Sequence, residues 1–199
     1  MGKIKVGLYG TNGHQITQHL VSHPQAELVA VAAFGEAELP EGVGQVRRYQ
    51  ELEELLADDN VELVSLCSPL RSEQAQHAAA CMNAGKHVYA EKPCAMTETD
   101  LDAIIETARE TGMQFHEMAG TVCEQPYLAV RKAVESGAIG EVVQVLAQKS
   151  YPWYDGRPAD ERIDGGLAMQ VGIYVARFVE HIAGMRINSM EMQDTTLGN

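Results

Sequence analysis

Short apolar runs alternate with stretches of helical spacing through the first two-thirds of the chain. Residues 3–9 form an apolar strand pattern closed by the turn Gly10-Thr11-Asn12-Gly13, and a helical stretch follows to about residue 22. The valine-rich run 28–34 suits a strand buried on both faces, and 49–57 carries helical periodicity. A further buried strand at 61–67 leads to an alanine-rich helix at 72–84, which stops at Gly85, and then to a strand at 86–90. Thr97-Glu98-Thr99-Asp100 has the form of a capping box and opens a helix to residue 111, where Gly112 ends it. A strand at 113–118 and a helix at 126–136 complete the series. Strand then helix, repeated, predicts an α/β fold with a doubly wound parallel sheet. From residue 141 the order changes to a strand (142–150), a polar aromatic loop (151–158), a helix (166–183) and a strand (187–195), which predicts a smaller, incomplete α+β domain.

Charge narrows the partners. Twenty-eight acidic against fifteen basic residues give a net charge of −13, with no basic stripe to offset it. Nucleic acid and anionic membrane are therefore disfavoured, and an anionic cofactor must bind through local backbone donors. Cys67, Cys81, Cys94 and Cys123 show no C-x-x-C spacing, so reduced thiols in a cytoplasmic protein are expected rather than disulfides or zinc. The N-terminus enters a strand pattern at once, and no apolar run of 18 residues occurs, so neither a signal peptide nor a membrane span is expected. His14, His19 and His23 have irregular spacing and no acidic partner, so no metal site is assigned.

Two features carry chemistry. The first is Glu91-Lys92-Pro93, placed where a buried parallel strand meets its loop, the position at which open α/β sheets bind ligands. An ammonium held there can polarise a carbonyl or alcohol oxygen and pass a proton. The second is the Gly10 turn, whose N–H groups and following helix would face a pyrophosphate. Its G-x-G-x-x-G pattern is incomplete: Asn12 stands at the second glycine position and Gln15 at the third, with Gly13 supplying backbone freedom. The acid that would hold the ribose hydroxyls of NAD is missing at Ala33-Phe34-Gly35; Glu36 lies just beyond, and no arginine is adjacent in sequence to form a 2′-phosphate pocket.

Four segments occur in an order that resembles the Gfo/Idh/MocA oxidoreductases: the glycine turn, Cys67-Ser68-Pro69, Ala84-Gly85-Lys86-His87-Val88-Tyr89-Ala90-Glu91-Lys92-Pro93, and Gly165-Gly166-Leu167-Ala168-Met169-Gln170-Val171-Gly172-Ile173-Tyr174. The resemblance implies a Rossmann domain over residues 1–120 and a partial α+β substrate and oligomerisation domain over 121–199. It also implies an NAD(P)-dependent oxidoreductase that passes hydride between the nicotinamide of NAD or NADP and a sugar, polyol or related alcohol or carbonyl substrate. By resemblance Gly10, Thr11, Asn12, Gly13, His14, Ser68, Pro69, Glu91 and Lys92 line the cofactor, and Lys92-Pro93 is a cis peptide. Lys92 is the catalytic residue beside nicotinamide and substrate, joined by Tyr174 as proton donor and Gln170 as a substrate-binding group. Gln170 and Tyr174 are four apart and share a helical face, an arrangement that suits a core face equally.

Departures from the family pattern cluster on the substrate side. Leu70 and Glu73 replace the Asn and His that tend to follow the Ser-Pro turn, Thr121-Val122-Cys123 replaces Asn-Arg-Arg, and Gln170 replaces an Asp. The second sheet lacks most of its strands by residue 199, which predicts a fragment or a shortened member that forms a homo-oligomer through this domain. The loop around Trp153 is expected to cover substrate or pack at that interface. The departures also support a second reading, a non-catalytic nucleotide-binding or interaction module on the family fold.

Overall fold

In a computed structural model, which describes residues 2–151 and 156–191, six parallel strands form one sheet. They are β1 (Ile4–Tyr9), β2 (Ala26–Ala32), β3 (Arg47–Tyr49), β4 (Leu63–Leu66), β5 (His87–Ala90) and β6 (Phe115–Glu117), in the order β3-β2-β1-β4-β5-β6. The order reverses between β1 and β4, so the sheet is the doubly wound Rossmann arrangement that the alternating pattern predicts. Register aligns the strand ends: Tyr9 pairs with Ala32 and Leu66, and Ala90 with Leu66 and Glu117. Gly10, Ala33, Cys67 and Glu91 therefore leave the sheet at one edge.

The side-chain period of two divides the core between the sheet's faces. Tyr9, Ala30, Ala32, Val64, Leu66, Val88 and Ala90 join the buried cluster beneath α2 (Leu52–Leu56), α3 (Gln74–Asn83) and α4 (Glu98–Thr111). Val6, Leu8, Leu28 and Val31 join a second cluster with Leu20 of α1 (Thr17–Leu20) and Phe34; the period of two breaks at Val29, where the β1–β2 register shifts. Thr97 caps α4, but not as a full capping box: its hydroxyl accepts the Asp100 N–H and donates to the Asp100 carboxylate, while the reciprocal bond from the Thr97 N–H is not formed; the helix ends at Gly112.

Three local expectations change. α1 is one turn, not a helix from residue 13 to 22. The helical stretch expected at 49–57 shortens to residues 52–56, and Tyr49 instead closes the edge strand β3; Arg-Arg-Tyr lacks an apolar run because an edge strand is half solvated. Residues 142–150 and 187–191 form no strand. A strand exists only through a ladder partner, and without one the backbone bonds to water; Val143 and Leu146 are 85% and 89% exposed. The rest of the expected last strand and Trp153 lie outside the described residues.

The chain divides into two compact units: Met1–Met118 with Pro158–Gly165, and Ala119–Arg157 with Gly166–Asn199. The described part of the second is helical, with α5 (Tyr127–Glu135), α7 (Gly166–Arg177) and a π-helical turn at Phe178–Ile182. α6 (Glu161–Asp164) belongs to the first unit and packs on the 3-10 turn Arg71–Glu73.

Gly10 is where backbone geometry is least forgiving. Its φ is +69°, and an added Cβ would lie inside contact distance of the Cys67 carbonyl oxygen. Gly10→Ala should lower unfolding free energy by about 2–3 kcal/mol or more in urea denaturation. Gly44→Ala, with nothing within 4 Å of its added methyl, should change it by less than about 1 kcal/mol.

Candidate active site

The first unit brings the two chemical motifs together through one buried carboxylate. Glu91, 1% exposed, accepts hydrogen bonds from the His14 N–H, from His14 Nδ1 (2.8 Å) and from the Lys92 N–H (2.9 Å). Gly13 permits this approach: its φ is +134°, and a Cβ there would collide with the Glu91 carboxylate. His14, for which no acidic partner was expected, binds the Glu91 carboxylate while its ring stays exposed. Lys92 is 3% exposed, and the Lys92-Pro93 bond is cis.

Two residues outside the sequence-derived set complete the network. Gln74, fully buried, donates through Nε2 to the carbonyls of Glu91 and Pro93 (the latter 3.0 Å), and its Oε1 accepts from the Ser68 N–H and from Arg71. Arg71, 2% exposed, donates to the Asn12 carbonyl at 2.7 Å, while its Nε has no hydrogen-bond partner. Burial pulls the Arg71 guanidinium below its usual range, and the nearby Glu91 carboxylate opposes that shift. Glu73, noted as a departure, is exposed, and the next residue, Gln74 at the start of α3, is the buried one.

The turn after β1 is held by side chains. Asn12 Nδ2 donates to the carbonyls of Pro69 (3.0 Å) and Ile163, so Asn12 bridges the Ser68-Pro69 turn and α6. Gln15 Nε2 donates to the Gly10 and Ser65 carbonyls (3.0 and 3.2 Å), and Gln15 Oε1 accepts from the Ser65 hydroxyl at 2.6 Å. A glycine at the third fingerprint position serves close helix-strand packing. With the Gln15 side chain in that space, the helix starts later. The helix-dipole share of the expected phosphate site is accordingly small, and the donors that remain are turn amides. Among the described residues the N–H groups of Thr11 and Asn12 have no acceptor. Two adjacent main-chain donors at the sheet's reversal point fit a dinucleotide pyrophosphate.

Ser68 is buried, with its hydroxyl 2.9 Å from His77 Nδ1, and His77 stacks edge-on against Tyr9. Burial lowers the His77 pKa and pushes the Cys67 and Cys81 thiols up to about 12. Glu36 is exposed at the β2 loop. No group of three or more His, Cys, Asp or Glu among the described residues could hold a metal, and no described helix is long and apolar enough to cross a membrane.

Gln170 and Tyr174 lie on α7 in the second unit, both partly buried. There the Lys149 ammonium sits 4.9 Å from the Tyr174 ring centroid, beside a cavity of about 180 Å³ lined by Val122, Tyr127, Leu146, Lys149, Tyr174 and Phe178.

Residues 4–118 match the family described as "Oxidoreductase family, NAD-binding Rossmann fold", and residues 127–198 match the "GFO/IDH/MocA C-terminal domain". The chain belongs to the Gfo/Idh/MocA family. Its first unit is that family's NAD-binding Rossmann domain. Myo-inositol 2-dehydrogenase from Thermotoga maritima is 26% identical over 156 residues, 77% of this chain and 45% of that protein. The dTDP-3,4-didehydro-2,6-dideoxy-alpha-D-glucose 3-reductase of Streptomyces violaceoruber is 34% identical over 111 residues, 53% of this chain and 32% of the reductase. The crystal structure of a probable dehydrogenase from Thermotoga maritima superposes with a TM-score of 0.72 at 25% identity, covering 91% of this chain and 55% of the other. The chain thus spans about half the length, or less, of these relatives.

Thiol reactivity tests the burial around this site. At pH 8 Ellman's reagent should modify the exposed Cys123 quickly and reach Cys67, Cys81 and Cys94 only in denaturant. For Cys67 and Cys81 the native form keeps its proton to about 12 while the unfolded thiol ionises near 9. The unfolded state then binds fewer protons, so stability should fall as pH rises from 9 toward 12.

Proposed function

We propose that the chain serves an NAD(P)-dependent oxidoreductase acting on a sugar, polyol or related alcohol or carbonyl compound, with residues 1–120 as the coenzyme domain and 121–199 as part of the substrate domain. The observation that carries this reading is Lys92, buried at the carboxyl end of β5 and tied through Glu91 to the turn after β1. The amides of Thr11 and Asn12 receive the pyrophosphate, Gly10 and Gly13 keep the turn clear of side chains, and His14, Ser68 and Pro69 flank the coenzyme. A nicotinamide bound there supplies the hydride exchange with the substrate carbon. Lys92 polarises the reacting oxygen, the Tyr174 phenol gives or takes the proton, and Gln170 orients the substrate by hydrogen bonding; Gln170 cannot be the base.

Titration of the protein with NADH and NADPH, followed by nicotinamide fluorescence, should give saturable binding. On a panel of sugars and polyols, Lys92→Ala should lower kcat by about 100-fold or more with coenzyme binding retained. A full loss of binding to both coenzymes in the wild type would sink the enzyme reading and favour the interaction module, and unchanged turnover would remove Lys92 from its role.

The second unit supports self-association. Val143 and Leu146 are exposed on a segment that has no ladder partner among the described residues, and Ile139 and Met190 are exposed as well. Light scattering should show a homo-oligomer that Val143→Lys with Leu146→Lys shifts to monomer, while a wild-type protein monomeric across micromolar concentrations would count against it.

A further inference from the structure

The position of Arg48 bears on which coenzyme the Rossmann domain takes. In sequence it lies 15 residues beyond Ala33, too far to be read as part of the ribose site. Strand pairing brings it back: β3 runs beside β2, with Arg48 opposite Val31 and Tyr49 opposite Ala32. Its neighbours Arg47 and Tyr49 both reach the buried Asp58 carboxylate, at 2.9 and 3.2 Å. Alternation along the strand sends Arg48 to the opposite face, where it donates to the carbonyls of Gly35 (3.2 Å) and Ala37 (2.8 Å) in the loop leaving β2.

That loop is the ribose end of the crevice. The Gly10 N–H donates to the Ala32 carbonyl at 3.0 Å, so the last residue of β2 touches the phosphate turn. A carboxylate at the end of this strand would hold the ribose 2′-hydroxyl of NAD, and an arginine nearby would accommodate the 2′-phosphate of NADP. Here the strand is followed by Ala33, with a φ of +52°, and by the buried Phe34, neither of which can bind a hydroxyl. Glu36 and Glu38 are the carboxylates close in sequence; both are exposed, and neither side chain has a hydrogen-bond partner among the described residues. Arg48 is braced in advance by two carbonyls. A guanidinium has five N–H donors, so three remain for a phosphate that it can engage bidentately.

We propose that Arg48 binds the 2′-phosphate of NADP(H) and gives this domain a preference for NADP(H) over NAD(H). The inference rests on the coenzyme reading above, and direct binding separates the two. At low ionic strength NADPH should bind about tenfold or more tightly than NADH, and 2′,5′-ADP should compete better than 5′-AMP. Because Arg48 is exposed, added salt should narrow the preference. Arg48→Ala should bring NADPH to the affinity of NADH and leave NADH unchanged, and Arg48→Lys should fall between. Equal or tighter binding of NADH by the wild type would overturn the inference alone, as would a loss in Arg48→Ala shared equally by both coenzymes, which would make Arg48 a brace for the loop. Binding of neither coenzyme would overturn the coenzyme reading and this inference together.

Discussion

A carboxylate removed from water must have its lone pairs satisfied by protein donors, and Glu91 sets that requirement at the centre of this fold. The donors come from two places far apart in sequence, the turn after β1 and the peptide that follows Glu91 itself. Meeting the requirement demands a residue without a side chain at position 13. It also couples the phosphate turn to the loop bearing Lys92. Gln74 repeats the coupling from the other side by holding the carbonyls of Glu91 and Pro93, and Arg71 extends it to the Asn12 carbonyl. Coenzyme turn and lysine loop are therefore one hydrogen-bonded body on a rigid sheet edge, the form of support that holds reactive groups within small tolerances.

The altered fingerprint has a structural counterpart in each of its changed residues. Asn12 bridges two carbonyls, and Gln15 stitches the turn to β4 through Ser65. These bonds replace the rigidity that close packing of a long first helix would give. The cost is a smaller helix dipole at the phosphate position. In a chain of net charge −13, the attraction for an anionic coenzyme must then be local, from turn amides and from arginines such as Arg71 and Arg48 held near the crevice.

Legibility followed the range of the interactions. The central strands, the α4 cap at Thr97 and the stop at Gly112 depend on burial and on contacts within four residues, and all were readable. The β3 edge strand was not, because its half-solvated Arg47 and Arg48 carry no apolar signature. The strands expected at 142–150 and 187–195 rest on local pattern, yet a ladder partner decides whether such segments pair. The described residues supply none.

In the candidate site, the sequence by itself determined that a Rossmann sheet would present Glu91-Lys92-Pro93 and a glycine turn at its carboxyl edge, because periodicity, chain direction and right-handed crossover leave few alternatives. It could not determine that Gln74 would be buried against that loop, since its partners are carbonyls 17 and 19 residues away. Nor could it show that Arg48 returns to the β2 loop, or that Gly13 exists to admit Glu91. Those outcomes were decided by tertiary structure, because each depends on strand register and on the space between segments tens of residues apart.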